Sequence, residues 1–258
     1  MNQMAVIGYR EVLIAAVLVL LSIAISRWWR IPVQKDMALG SVRAFVQLVL
    51  VGYALEYVFA LESIWLILLA IMVMIIVGAH AAAGRVSGLR RAITITSTAM
   101  IAGSLLTLGF MLLLDIITLE ARYVIPLAGM IIGNSMNASA LTIGRISADI
   151  RSHRLAIETA LSLGKSWRQA TRPYQKEAAV AGMLSMLNFL KTVGIVALPG
   201  AMTGMILAGV DPLDAVLLQI VVGYMLLSAV TITSVVALEL TVRRFFSPFH
   251  QLILNDSK

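Results

Sequence analysis

The sequence contains no cysteine. A disulfide framework and a thiolate metal centre are therefore both excluded, while the compartment is left undecided. Charge is scarce: Asp, Glu, Lys and Arg make up 13% of the 258 residues, against about 25% in soluble domains. The three histidines, His80, His153 and His250, stand apart from one another and from carboxylates at any metal-ligand spacing. No carboxylate falls in the middle of an apolar run, so the Asp/Glu relay of many proton-coupled carriers is missing. Gly164-Lys165-Ser166 looks like the end of a phosphate-binding loop, but Thr159 occupies the place of its first glycine. By that criterion the chain carries no ATPase of its own. No nucleophile–base pair stands out, which argues against a membrane enzyme.

What the sequence has in abundance is apolar surface. Hydrophobic residues make up 60% of it, and the mean hydropathy is +0.95. The expected fold class is an all-α integral membrane protein, a single transmembrane domain over residues 1–258. A crossing needs about 20 apolar residues. Seven are predicted: Glu11 to Trp29, Met37 to Phe59, Ile64 to Ala83, Ala92 to Leu114, Val124 to Gly144, a segment starting near Ala178, and Asp214 to Leu240. The first is expected to be retained, since Arg27-Trp28-Trp29-Arg30 does not suit signal cleavage.

The formal charge of +7 is a matter of placement. Arg27, Arg30, Lys35, Arg85, Arg90, Arg91, Arg145, Arg151, Arg154, Lys165, Arg168, Arg172, Lys176, Arg243, Arg244 and Lys258, 16 of the 20 basic residues, fall in one set of loops and the C-terminus. The positive-inside rule then predicts an outer N-terminus and an inner C-terminus. The acids Glu56, Glu62, Asp115, Glu120, Asp211 and Asp214 fall on the opposite side. The basic balance thus reflects topology, and no nucleic-acid partner is expected.

The longest polar interval runs from Ser152 to Lys176. Leu155 to Leu163 reads as a short helix with Ile157, Ala160 and Leu161 on one face. Gly164 is its natural stop, because the residue after a helix often needs positive φ. Ser166 can cap a second short helix beginning at Trp167. The result is a basic helix–Gly–helix hairpin over residues 151–177, suited to docking a soluble partner or serving as an ordinary amphipathic loop.

Several polar residues fall within spans. Arg43 and Gln47 share a face of the second; Arg43 either faces a cavity or snorkels to the headgroups. In the sixth, Lys191 lies about 20 Å deep at 1.5 Å per residue, with Asn188 one turn before it. Asn134 and Asn137 share a face of the fifth, where they line a path or tie helices together. On another face, Gly129 and Gly133 allow close helix approach. The sixth segment, Ala178 to Gly209, is too long for one straight crossing, and Pro199-Gly200 interrupts it. A break near Leu198–Thr203 is expected, with Ala201 to Ala208 as a short outer or re-entrant helix.

Three stretches carry a resemblance: Val42-Arg43-Ala44-Phe45-Val46-Gln47-Leu48 with Gly52-Tyr53, Ile125 through Gly133-Asn134, and Leu198-Pro199-Gly200-Ala201-Met202-Thr203-Gly204. With the loop from Glu158 to Gly164, they make the chain resemble permease subunits of ATP-binding-cassette transporters. It is most similar to a small family of iron-export permeases with plant relatives linked to aluminium tolerance. In the importer signature of that superfamily a Glu-Ala-Ala triplet is followed by Gly and then by Ile-x-Leu-Pro. Glu158, Ala160 and Gly164 match it; Thr159 replaces an Ala, Tyr174 stands at the Ile position, and Pro173 comes early.

The resemblance implies that Glu158, Ala160, Leu161, Gly164, Trp167 and Arg168 couple to a separate ATP-binding subunit, which holds the ATP and Mg. It implies location in a bacterial inner membrane and export of iron or a metal-linked solute. Seven crossings are few for a closed path, so a homodimer is expected. The alternatives are a secondary carrier or channel working without an ATPase, and a structural partner in a membrane complex.

Overall fold

The computed structural model describes residues 8–61, 63–86, 89, 91–249 and 251–253. Expectations placed on Glu62, Arg90, His250 and Lys258 lie outside them. Among the described residues run nine helices: α1 Tyr9–Trp28, α2 Gln34–Leu61, α3 Ile64–Gly84, α4 Ala92–Leu113, α5 Ala121–Ser152, α6 Arg154–Ser162, α7 Trp167–Thr192, α8 Gly200–Leu207 and α9 Pro212–Arg244. No strand is present among them, only two isolated bridges. Long apolar runs become helices because a helix satisfies every backbone polar group within the segment, as hydrocarbon surroundings require.

Six of these helices are long and apolar enough to cross a membrane: those containing Arg10–Trp28, Gln34–Leu61, Ile64–Gly84, Ala92–Leu113, Ala121–Ser152 and Pro212–Arg244. α5 and α9 outrun the predicted spans, continuing to Ser152 and Arg244 rather than stopping near Gly144 and Leu240. At 1.5 Å per residue each is roughly 50 Å long, well beyond about 30 Å of hydrocarbon. The remaining long helix, α7, is not among the six. It has 26 residues but carries Arg168, Arg172, Lys176, Glu177 and Lys191. The short helix expected at Trp167 and the crossing expected from Ala178 are one continuous element. Pro173 is accommodated within it, at the cost of one backbone hydrogen bond.

The chain divides into two compact units. In the first, α1 packs on α2 through a turn in which Arg30 has a φ of 55° and the Ser26 hydroxyl donates to the Ile31 carbonyl at 3.1 Å. No residue of α2 is buried.

In the second unit α5 is central, packed against α3, α4, α7 and α9, while α9 also contacts α4, α7 and α8. The main core is aliphatic, with Met100, Ile131, Met186, Met225 and Val230 among its buried residues. Helices approach most closely at two glycines. A Cβ on Gly103 would strike the Thr233 hydroxyl, and one on Gly182 would strike that of Thr142. Buried hydroxyls add polar ties between helices, Thr233 Oγ1 to Ser135 Oγ at 3.1 Å and Thr96 Oγ1 to the Ala79 carbonyl at 3.0 Å. Gly129 and Gly133, expected to permit such close approach, meet nothing: a Cβ on either has open space. The small-residue spacing was right for membrane helices, but the buried side of α5 is set by its Ile and Ser/Thr positions.

Candidate functional site

The hairpin begins where α5 ends. α6 is held by Ile157, fully buried in a cluster with Ile146, Ile150, Ala170, Val242 and Phe246, against which Ala160, Leu161, Trp167 and Tyr174 also pack. Its C-terminus is locally encoded. Gly164 takes a φ of +83°, its N–H donates to the Leu161 carbonyl at 2.9 Å, and the Lys165 N–H donates to that of Ala160 at 3.1 Å. This paired pattern is a Schellman motif, which glycine enters at no Cβ cost. Two residues on, Ser166 Oγ accepts from the Gln169 N–H while Gln169 Oε1 accepts from the Ser166 N–H at 3.0 Å. That reciprocal box starts α7; its Ser half was expected from the sequence, its Gln half was not.

Charge and aromatic contacts fix the hairpin against α9. The Trp167 ring stacks on Phe246 with centroids 5.8 Å apart. The Arg168 guanidinium lies 5.1 Å from the Trp167 ring centroid and donates to Glu239 at 2.9 Å, where Arg243 also binds. Glu158 is half-buried and accepts from Arg154 at 2.8 Å on its own helix. Arg145 joins Asp149 at 2.8 Å and Glu177 at 3.0 Å, tying α5 to α7. Leu155 and Leu163 remain 78% and 76% exposed, so the basic hairpin carries uncovered apolar side chains at both ends of α6.

At its other end α7 stops sooner than predicted. The break begins at Val193, directly after Thr192, rather than at Leu198. Gly194 has a φ of +83°, and its N–H turns to the Ala197 carbonyl at 3.0 Å. Pro199 does not interrupt a helix; it is the N-cap of α8, with Gly200 as the first helical residue. The break is a seven-residue non-helical stretch, residues 193–199, because a positive-φ glycine ends the helix before the proline is reached.

A cavity of about 310 Å³ lies beside this break, lined by Met130, Asn134, Ser185, Met186, Phe189, Pro199, Gly200, Ala201, Gln219, Val222 and Leu226. A second, of about 380 Å³, borders Val193, Gly194, Leu198 and Gln219. Asn134 is half-buried and donates from Nδ2 to the Met130 carbonyl at 2.8 Å. Asn137 does not line this cavity; its Oδ1 accepts from Arg85 Nη1 at 2.7 Å. Asn188 and Lys191 are exposed and line neither cavity. Lys191, expected at mid-depth, is the penultimate residue of α7, where a cation complements the helix C-terminus. Arg43 and Gln47 are exposed on α2, in the other unit. Gln219, missed in the sequence, is 9% exposed and borders both cavities. Its signal was available: it is the lone carboxamide in the apolar run of α9. Among the described residues no group of three or more His, Asp or Glu could hold a metal ion.

The comparisons with known proteins fit a membrane bundle of this kind. The model of the uncharacterised protein family UPF0014 matches residues 9–246. The protein ALUMINUM SENSITIVE 3 of Arabidopsis thaliana is 36% identical over 238 residues, covering 92% of this chain and 87% of its own. The UPF0014 membrane protein STAR2 of Oryza sativa subsp. japonica is 35% identical over 251 residues, 97% of this chain and 87% of its own. The probable iron export permease protein FetB of Escherichia coli (strain K12) is 34% identical over 245 residues, 95% of each. No solved structure matches. With likeness running over nearly its whole length, the chain belongs to the UPF0014 family.

Proposed function

We propose that the chain is the permease subunit of an ATP-binding-cassette transporter, moving iron or a metal-linked solute outward with the power of a separate ATPase. The observation that carries this reading is the α6–Gly164–α7 hairpin. A relative at 34% identity is named a probable iron export permease, and the hairpin supplies what such a permease needs. It is basic, it is rigidly mounted on the ends of α5 and α9, and it presents Leu155 and Leu163 uncovered. Because α7 runs unbroken from the hairpin to Thr192, a push on Trp167 and Arg168 travels along one rod to the break beside the cavities. ATP and Mg would sit on the partner, and the cargo would be substrate, not resident cofactor.

In this reading the C-terminal half of α7, the break and α8 together make a seventh crossing. Ala178 to Thr192 alone spans only about 22 Å, short of the hydrocarbon. The basic ends face the cytosol of a bacterial inner membrane, and two copies form the pathway. Asn134, Pro199 and Gly200 line it; Asn137 with Arg85 ties its cytosolic end.

Co-purification tests the assignment. Changing Glu158→Ala together with Gly164→Val is expected to abolish capture of the cognate ATP-binding subunit and ATP-driven transport in proteoliposomes. Capture and flux both unchanged would refute the coupling role, and flux by the purified chain alone would favour an ATPase-independent carrier.

A further inference from the structure

We infer that the N-terminus of α8, together with Gln219, forms a binding site for an oxyanion-bearing solute, a carboxylate or a phosphate. α8 is 8 residues long and has no side-chain cap. Its first intrahelical bond is the Thr203 N–H to the Pro199 carbonyl at 3.0 Å, and the N–H groups of Gly200, Ala201 and Met202 have no acceptor among the described residues. Orphan N–H groups and the positive end of the helix dipole favour an anion at such a place. Gln219 supplies the independent indication. It is nine-tenths buried, its carboxamide makes no hydrogen bond among the described residues, and it lines the same cavity as Gly200 and Ala201. Its amide reaches the cavity with no protein partner among the described residues, and an oxyanion held there would accept from both the amide and the helix terminus. Ser185 and Asn134 add further polar groups to the lining.

The chemistry of the lining separates the alternatives. None of its residues is acidic, so a bare cation would find no compensating charge. Discontinuous helices in transporters commonly aim a half-helix N-terminus at an anionic group of the substrate. The cargo is therefore assigned as an anionic organic or phosphorylated solute, with any metal travelling as its chelate. This deepens the permease reading and rests on it, since it gives that pathway a substrate class.

Calorimetric titration of the purified full-length chain in neutral-lipid nanodiscs tests the site, with citrate, inorganic phosphate and ferrous ion as separate probes. Citrate or phosphate is expected to bind saturably, and the better of the two identifies the oxyanion class; ferrous ion alone is expected not to bind. Gln219→Glu places a like charge in the cavity and should weaken oxyanion binding by at least about 100-fold, as loss of a charge-assisted contact plus repulsion implies. Ala201→Asp is the second variant. Its carboxylate is compatible with a helix first turn, so the fold is retained while the anion position is filled, and binding should again be lost. Oxyanion binding absent from the wild type, or unchanged in either folded variant, would overturn the inference, as would ferrous ion binding alone. Capture of the ATP-binding subunit, scored on the same samples, keeps the two readings apart: a chain that captures it yet binds no oxyanion refutes this site and leaves the coupling role standing.

Discussion

The two ends of α7 are built on opposite principles. At Trp167 the chain is over-determined: a capping box, a Schellman turn, a fully buried Ile157, an aromatic stack and a shared carboxylate all specify one geometry. At Thr192 the helix releases into seven residues held by a few backbone bonds, and the α8 that follows has no buried residue at all. Cavities border the loose end, and Gln219 there lacks a partner. A helix clamped by side chains at one end and held mainly by local backbone bonds at the other suits transmission of a displacement, because the clamped end takes load without deforming and the other end yields. Few contacts and exposed backbone are the physical marks of the segments that move.

The sharpest way to break this contrast is at the helix crossing between the two ends. Gly182→Val would drive a side chain into Thr142 and Ser234 and onto the Ala138 carbonyl, 3.0 Å from the added Cβ. Neither backbone can give way cheaply, so a loss of about 3 kcal/mol or more is expected, as for overpacked cores. Size-exclusion chromatography and thermal unfolding in detergent should show an aggregated or unfolded product. Gly129→Val, where a Cβ meets open space, serves as the control and should fold.

A second comparison sets one end of α7 against the other. Ile157→Ala removes a fully buried side chain from the hairpin cluster and should cost about 2–5 kcal/mol. Leu198→Ala in the break alters a residue that is 60% exposed and should cost less than about 0.5 kcal/mol. Limited proteolysis at Lys165 reads out the first: cleavage should accelerate in Ile157→Ala and stay at the wild-type rate in Leu198→Ala. Equal sensitivity of both variants would mean that the two ends do not differ in stiffness.

The sequence carried the hairpin almost completely and the break only in outline, for a reason visible in particular residues. Gly164 and Ser166 act within four residues of themselves, through a positive φ and a local cap, so their effect can be read locally. The break depends on Gly194 as well as Pro199. A proline advertises an interruption, whereas a glycine ends a helix only if tertiary surroundings let it. Lys191 stands beside the break rather than within a longer helix, since α7 stops one residue later. Asn134 and Asn137 share a face by spacing but part company because Arg85, 52 positions away in sequence, reaches Asn137. Gln219 stands out in the sequence as the lone carboxamide of α9, but what it faces emerges only once α8 is brought beside α9. Pairings of that range cannot be found in a local window.

The smallest effect is expected at Glu239, and it bears on how the clamped end is held. Its carboxylate accepts from Arg168 and Arg243, each at 2.9 Å, with its side chain 35% exposed and theirs 63% and 57% exposed. Pairs this open are screened by water and salt, so Glu239→Gln should cost at most about 1 kcal/mol. The change leaves Trp167 stacked on Phe246 and Ile157 buried, so thermal stability should fall only slightly. The wild-type advantage should shrink further as ionic strength is raised from low salt to about 1 M, where the screening length drops to about 3 Å. A larger loss, insensitive to salt, would mean that the hairpin is clamped by charge and not by the apolar cluster under Ile157. The stiffness of that end would then depend on ionic conditions, and the contrast with the break would hold only at low salt.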